Sequence, residues 1–336
     1  MLFVVLVSCS CSRREAMTSG DGSLAEEIRM ETLRAWNAYV TNAWGHDVLR
    51  PVSGGYHDWY RQPAFIQGID AYSTLKVIGF DEEAERIEKY VVDSLDLNYD
   101  LFVKTFEFNI RILGGLLSMY DLSGNPEILR KAEEFGRKLM PAFNSATGIP
   151  HYWVNLRTGE VRGDTVNVAE AGTFLVEMGV LSYYTQNPEY YQAARKAVIQ
   201  VYALRSPLGL VSENINIEEG TLVDSISHIG ACIDSYYEYL YKAWLLFGDQ
   251  ELKSIWDSSM PAVHGYIAEE TPTGLWYGKV NAFTGEIVRT EVTLWDAYFP
   301  ALMALSGDTA RAGRLMKSWD YLWNRYSNIR MTRRQV

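Results

Sequence analysis

The sequence predicts an all-α protein, a toroid of helical hairpins with β-hairpins gathered on one rim. Three observations carry this: a helix–turn–helix signal that occurs five times, a strand–glycine–strand signal that occurs three times, and a shared repeat period for both.

The helical signal is an apolar stretch that ends in a small residue and restarts on an acidic or proline-containing opening. It stands at Ile78-Gly79-Phe80-Asp81-Glu82, Ser123-Gly124-Asn125-Pro126-Glu127, Gln186-Asn187-Pro188-Glu189, Phe247-Gly248-Asp249-Gln250-Glu251 and Ser306-Gly307-Asp308. Glycine or asparagine closes a helix in the left-handed conformation. Asp or Asn followed by Pro or Glu opens the next.

The strand signal reads Tyr152 to Val161 around Gly159, Ile215 to Leu222 around Gly220, and Trp276 to Ile287 around Gly285, with alternating apolar residues on each side of the turn. These glycines recur at nearly equal intervals of roughly 60 residues, longer than the common solenoid repeats. About five helix pairs are therefore expected, one β-hairpin between successive pairs.

An acidic residue follows the same period near the start of each inner helix. Glu107, Glu170, Asp234 and Asp296 again stand roughly 60 residues apart at each step. Equivalent positions in a ring face one axis, so these carboxylates are expected to converge at one end, where burial and like charge push their pKa values apart. Acids near helix starts also serve the helix dipole and can simply face solvent. Context favours convergence here. Glu107 lies in the apolar run Phe106 to Leu117, with Arg111 one turn on as a partner. Asp234 opens Asp234-Ser-Tyr-Tyr-Glu-Tyr-Leu240, where an Asp234–Glu238 pair among aromatics is costly unless a ligand or cation uses it. Two carboxyls held in different protonation states are what glycosidic hydrolysis requires.

Composition narrows the alternatives. The 336 residues are 48% apolar and carry 31 basic against 42 acidic side chains, a net charge of −11, which disfavours a nucleic-acid partner. The 10 Trp, 22 Tyr and 12 Phe suit both a core and a sugar-binding pocket. Cys9, Cys11 and Cys232 allow no internal disulfide framework and no cysteine metal site. Histidines 46, 57, 151, 228 and 264 have no metal-site spacing and read as satisfied polar residues. Gly114-Gly115 reads as close helix packing rather than a phosphate loop, and Ser235 lacks the surroundings of a hydrolase nucleophile.

The ends read separately. Leu2 to Val7 followed by Ser8-Cys9 is similar to a bacterial lipoprotein signal, which implies a lipid anchor at Cys9 and a place in the cell envelope. Residues 1–22 are expected to be signal and tether, 23–327 the catalytic barrel, and 328–336 an atypical basic tail.

Several ordered motifs resemble the class I α-mannosidases of glycoside hydrolase family 47. They are Trp44-Gly-His-Asp-Val-Leu-Arg-Pro51, Phe106-Glu107 with Ile110-Arg111-Ile-Leu-Gly-Gly-Leu-Leu117, Leu139-Met-Pro-Ala-Phe143, Gly148-Ile-Pro150 with Val154-Asn155, Ala169-Glu170, and Asp234-Ser-Tyr-Tyr-Glu-Tyr-Leu240. The resemblance implies an (α/α)7 barrel, Ca2+ at the pocket floor, and inverting removal of α-1,2-linked mannose from a mannose-containing oligosaccharide. It makes Glu107 the acid, acting through a water, and Asp234 the second active-site carboxylate. Asp47, Arg50, Arg111 and Glu170 match pocket-lining positions, and Glu238 and Asp296 join them as substrate-binding residues.

Three departures accompany the resemblance. The family's Leu-Arg-Pro-Glu base motif and its Thr-Glu calcium segment are absent, which implies a truncated ring of about five of seven pairs, with the calcium ligand beyond the C-terminus. Cys232 stands where the processing enzymes carry arginine. A family histidine is replaced around Leu294-Trp295-Asp296. The last two are similar to the degradation-enhancing branch. An inactive or glycan-binding module, and another α/α-toroid enzyme such as a sugar epimerase, are the competing readings.

Overall fold

The computed structural model describes residues 21–326. The lipoprotein-type signal with Cys9, and the basic tail 328–336, lie outside the described residues.

A long first helix, α1 (Asp21–Ala43), starts two residues inside the expected tether, and β1 (Val48–Leu49) pairs with β2 (Tyr56–His57) after it. The five helical hairpins then follow as expected. They are α2 (Ile66–Val77) with α3 (Asp81–Asp93), and the inner helix formed by α4 (Thr105–Phe108), a π turn at Asn109–Leu113 and α5 (Gly114–Ser123), paired with α6 (Pro126–Leu139). Next come α7 (Val168–Gly172) and α8 (Leu175–Thr185) with α9 (Glu189–Ala203), then α10 (Asp234–Phe247) with α11 (Gln250–Ala262). A 3-10 turn at Leu294–Tyr298 leads into α12 (Phe299–Leu305), paired with α13 (Thr309–Tyr326).

The turn chemistry behaves as the residues dictate. Gly124 and Gly248 cap α5 and α10 at φ 69° and 71°, and Asn125 and Asp249 accept hydrogen bonds from the amides that open α6 and α11. Inner helices α2, α5, α8 and α10 pack side by side, each backed by its outer partner. One continuous core runs through them, from Trp36 and Tyr39 on α1 to Leu302 and Leu315 on the last pair.

The rim differs from expectation in one informative way. The three predicted β-hairpins are present as β4 (Trp153–Asn155) with β5 (Val161–Arg162), β7 (Asn214–Asn216) with β8 (Thr221–Leu222), and β12 (Lys279–Asn281) with β13 (Ile287–Arg289). Each is completed by a third, antiparallel strand that leads toward an inner helix: β3 (Phe102–Lys104) on β4, β6 (Thr165–Asn167) on β7, and β9 (Ile226–Ser227) on β12. These docking strands fix the height at which α4, α7 and α10 begin. An unexpected two-stranded hairpin, β10 (Ala268–Thr271) with β11 (Gly274–Tyr277), packs on α13, Trp276 meeting Trp319 edge to face at 5.8 Å. No described helix is long and apolar enough to cross a membrane.

Candidate active site

Strand β3 runs directly into α4, so Glu107 sits one turn from a fixed point. The Lys104 amide donates to the Tyr60 hydroxyl at 3.0 Å, and Thr105 Oγ1 donates to the His151 carbonyl at 2.8 Å. The π turn that follows swings Arg111 back onto Glu107, its Nε donating to the carboxylate at 2.9 Å. The same turn buries Asn109, whose Nδ2 donates to the Thr173 carbonyl and to Glu177 Oε2, each at 3.0 Å. Tyr239 on α10 donates to the other Glu177 oxygen at 2.6 Å, so a buried carboxyl ties the π turn, α8 and α10 together. Single π turns inside α-helices recur at functional sites because they re-aim side chains.

Arg111 also reaches Asp70 on α2 at 3.1 Å and lies over the Trp59 ring at 5.2 Å. Asp70, Trp59 and Arg111 line a cleft of about 690 Å³ together with Asp47, Arg50 and Gln67. Burial raises the Asp70 pKa, Arg111 opposes the rise, and the nearby Glu107 charge adds to it.

Asp47 lines the cleft and also holds its wall together. It is fully buried and accepts from the amides of Trp59, Ala64 and Ile66 at 3.0, 2.7 and 3.3 Å, so both carboxylate oxygens hold the cleft wall in shape. Arg50 lines the cleft and faces His57 at 3.5 Å.

The remaining ring acids stand where the period places them. Asn167 caps α7 by accepting from the Glu170 amide at 2.8 Å. Burial raises the Glu170 pKa, Asn167 and Lys104 oppose this, and the Glu107 charge reinforces it. Asp234 opens α10 and is pushed up to about 6, first by burial and then by the charges of Glu238 and Asp296, against lowering influences of the Ser235 amide and His228. Cys232, at a left-handed φ of 81°, lies between the two: burial and the charges of Glu213, Glu170 and Asp234 push its thiol up to about 11. Glu170 and Asp234 thus each feel the charge of another ring acid, the proximity that equal intervals around a ring require.

Two acids are occupied locally. Glu238 pairs with Lys242 on its own helix at 2.6 Å, which removes the need for a ligand or cation inferred from its spacing to Asp234. Asp296 accepts from the Thr293 amide and hydroxyl, both at 2.6 Å, and so caps its own 3-10 turn. Among the described residues no docking strand leads into this turn, and a self-cap takes its place.

Residues that spacing did not reveal are Asp70, Trp59, Glu177 and the chain Glu213–His228–Lys279. His228 Nδ1 accepts from the Gly230 amide at 3.0 Å, which leaves Nε2 to donate to Glu213 at 2.6 Å, and Lys279 Nζ lies 3.3 Å from the same oxygen. His228 first, and then Lys279, hold the Glu213 carboxyl below the usual range. Only Asp70 left a signal, a lone acid in the apolar opening of an inner helix, and the repeat period does not reach it.

The family model of glycosyl hydrolase family 47 matches residues 31–329. The chain belongs to glycosyl hydrolase family 47. It is 34% identical over 318 residues to the human ER degradation-enhancing alpha-mannosidase-like protein 2, covering 90% of this chain and 54% of that protein. Identity is 39% over 231 residues to the human endoplasmic reticulum mannosyl-oligosaccharide 1,2-alpha-mannosidase, covering 67% of this chain and 33% of that protein. The alpha-1,2-mannosidase from Trichoderma reesei superposes at TM-score 0.78 and 26% identity, over 89% of this chain and 65% of its own. The fold is accordingly the (α/α)7 barrel type. A sugar epimerase from a ruminal bacterium superposes at TM-score 0.65 with 13% identity, over 93% of this chain and 88% of its own, which shows a common toroid and nothing of its chemistry. The chain spans a little over half the length of the first curated relatives it matches, 54% to 57%.

The calcium expected from the family finds no cage among the described residues. Calcium takes six to eight oxygen ligands. No three ring carboxylates offer oxygens within 4.8 Å of one another, and the one described group of three ligands that does is elsewhere, at His151, Asp164 and Glu218.

Proposed function

We propose that this family 47 chain is a glycosidase that removes α-1,2-linked mannose from mannose-containing oligosaccharides with inversion at the anomeric carbon. The observation that carries it is a carboxyl poised near neutrality, Asp234 at about 6, in one ring with Glu107, which accepts from a guanidinium that also lines the cleft. The similarity to the human and Trichoderma reesei 1,2-alpha-mannosidases supports the substrate class.

Hydrolysis needs one carboxyl to give its proton to the glycosidic oxygen and another to take one from the attacking water. Family resemblance gives the acid to Glu107. Asp234, pushed up to about 6, is mostly ionised near neutral pH and suited to take a proton from the attacking water, while Glu107 gives its proton to the leaving oxygen through an intervening water. Arg111, Asp70 and Trp59 orient the sugar: the fork donates to hydroxyl oxygens and the indole face meets apolar C–H groups. In this reading Arg50, on the cleft wall, and Glu170, on the neighbouring ring helix, bind further hydroxyls, while Asp47 shapes the wall.

Calcium dependence enters this proposal on the resemblance alone, with no ligand assigned among the described residues. Chelation followed by calcium re-addition tests it: activity should disappear and return. Incubation with α-1,2-, α-1,3- and α-1,6-linked mannobioses tests the main reading, mannose being expected from the first alone. Retention of the disaccharide without release would instead mark a glycan-binding module.

A further inference from the structure

Of the five histidines, four find partners or solvent. His46 meets Asp58 at 3.0 Å, His228 meets Glu213, His264 Nδ1 meets the Tyr277 hydroxyl at 2.8 Å, and His57 is exposed beside Arg50. His151 is the exception and corrects the reading of all five as satisfied. It is 7% exposed, and its buried Nδ1 makes no hydrogen bond. A buried, unpaired imidazole nitrogen is costly and calls for an explanation.

Two carboxylates face that ring from a neighbouring rim sheet. Asp164 Oδ1 lies 3.4 Å from Nδ1, and Glu218 Oε1 lies 3.3 Å from Nε2. One ligand atom from each of the three side chains falls within 4.8 Å of the others. We propose that His151, Asp164 and Glu218 form a site for a divalent transition-metal ion of the zinc type, separate from the sugar cleft.

The spacing suits it. Zinc bonds to imidazole nitrogen and carboxylate oxygen of about 2.0–2.2 Å, opened at the tetrahedral angle, put the two ligand atoms about 3.3–3.5 Å apart. The Nδ1–Oδ1 separation meets this without a hydrogen bond, which is how a ligand pair around an ion is arranged. Glu218 Oε1 lies on the Nε2 side of the ring, so a turn of this 41% exposed side chain is required to bring it to the ion at Nδ1, with Oε2 accepting from the Ala146 amide at 3.1 Å. One imidazole and two carboxylates is a donor set for borderline cations, whereas calcium prefers oxygen alone.

The backbone around the site is already fixed. The His151 amide donates to the Ala142 carbonyl at 2.9 Å, and its own carbonyl accepts from Thr105 Oγ1. The Asp164 carbonyl accepts from the Ile217 amide at 2.8 Å, across the end of the β6–β7 ladder, and Asn216 Oδ1 accepts from the Glu218 amide at 3.1 Å. An ion there staples the segment before β4 to the β6–β7 sheet, locking two rim units whose docking strands lead to Glu107 and Glu170.

Isothermal titration of the whole, untagged chain with Zn2+ in a calcium-containing buffer tests the site, with the thermal midpoint followed in parallel. One equivalent should bind and raise the midpoint. Asp164→Asn, Glu218→Gln and His151→Asn should each weaken binding at least tenfold and remove the thermal shift. Asp164 and Glu218 are exposed, so their variants decide the matter if His151→Asn does not fold. Failure of Zn2+ to bind, or equal binding and equal thermal shift in the two carboxylate variants, overturns the proposal.

Discussion

Asp234 shows what one side chain costs the fold and what it contributes in return. Its pKa rises from the usual 3.8 to about 6 because burial and two neighbouring carboxylates disfavour the charged form. Below about pH 4 folded and unfolded chains both hold the proton, and the shift has no effect on stability. Between about pH 4 and 6 the unfolded chain releases its proton first, so stability falls, and above about pH 6 the full deficit, of order 2–3 kcal/mol, persists. Asp234→Asn should therefore stabilise the protein by up to about that amount in urea denaturation at neutral pH and by nearly nothing in acid below the unfolded-state pKa, while losing activity. Equal effects under both conditions would refute the assignment. Cys232 gives a second residue-scale prediction. With its thiol near pKa 11, the peptide containing it should be alkylated by iodoacetamide in mildly alkaline buffer roughly a hundredfold more slowly than free cysteine, as followed by mass spectrometry. What the sequence hid at this scale is who else competes for a carboxylate. Asp47 reads as a pocket acid from its motif and Asp296 from the repeat, and each is also held by backbone amides, those of Asp47 lying 12 to 19 residues away.

At the scale of elements, the turns were legible and the docking strands were not. Gly124, Asn125 and Pro126 declare a helix end and a helix start side by side, because each has a local backbone reason to be there. Phe102–Lys104 carries no such declaration: these residues become a strand only because Val154, far along the chain, presents its backbone opposite Val103. The π turn at Asn109–Leu113 was equally silent, since its stabilising partners Thr173 and Glu177 lie on the next hairpin. Gly115 is a packing glycine, as its place inside an apolar helix suggests. A Cβ there would sit 2.3 Å from Ile69 Cγ2 and 3.4 Å from the Ile69 carbonyl oxygen, so α5 meets α2 with no room for a methyl group. Gly115→Ala should destabilise by about 1–3 kcal/mol in chemical denaturation despite alanine's better helix propensity. It should also lower activity, because the same contact sets Asp70 on α2 against Arg111. A neutral or stabilising outcome would mean that the two helices can separate freely.

For the whole molecule, periodicity carries most of the legible signal. Glu107, Glu170 and Asp234 recur at nearly equal intervals because each hairpin repeats one unit of strand, inner helix, outer helix and rim hairpin, and a ring turns equal sequence intervals into one shared height. Asp70 broke the pattern because α2 precedes the first docking strand, and so lay beyond the reach of spacing arguments. The central claim is that Glu107 and Asp234 are the two reacting carboxyls of an inverting mannosidase. Proton NMR of α-1,2-mannobiose hydrolysis tests it most directly, since it reports both the rate and the first anomer released. Release should give β-mannose first, and Glu107→Gln and Asp234→Asn should each slow it by about a hundredfold or more. Unchanged rates in both variants, or α-mannose as the first product, would contradict the account.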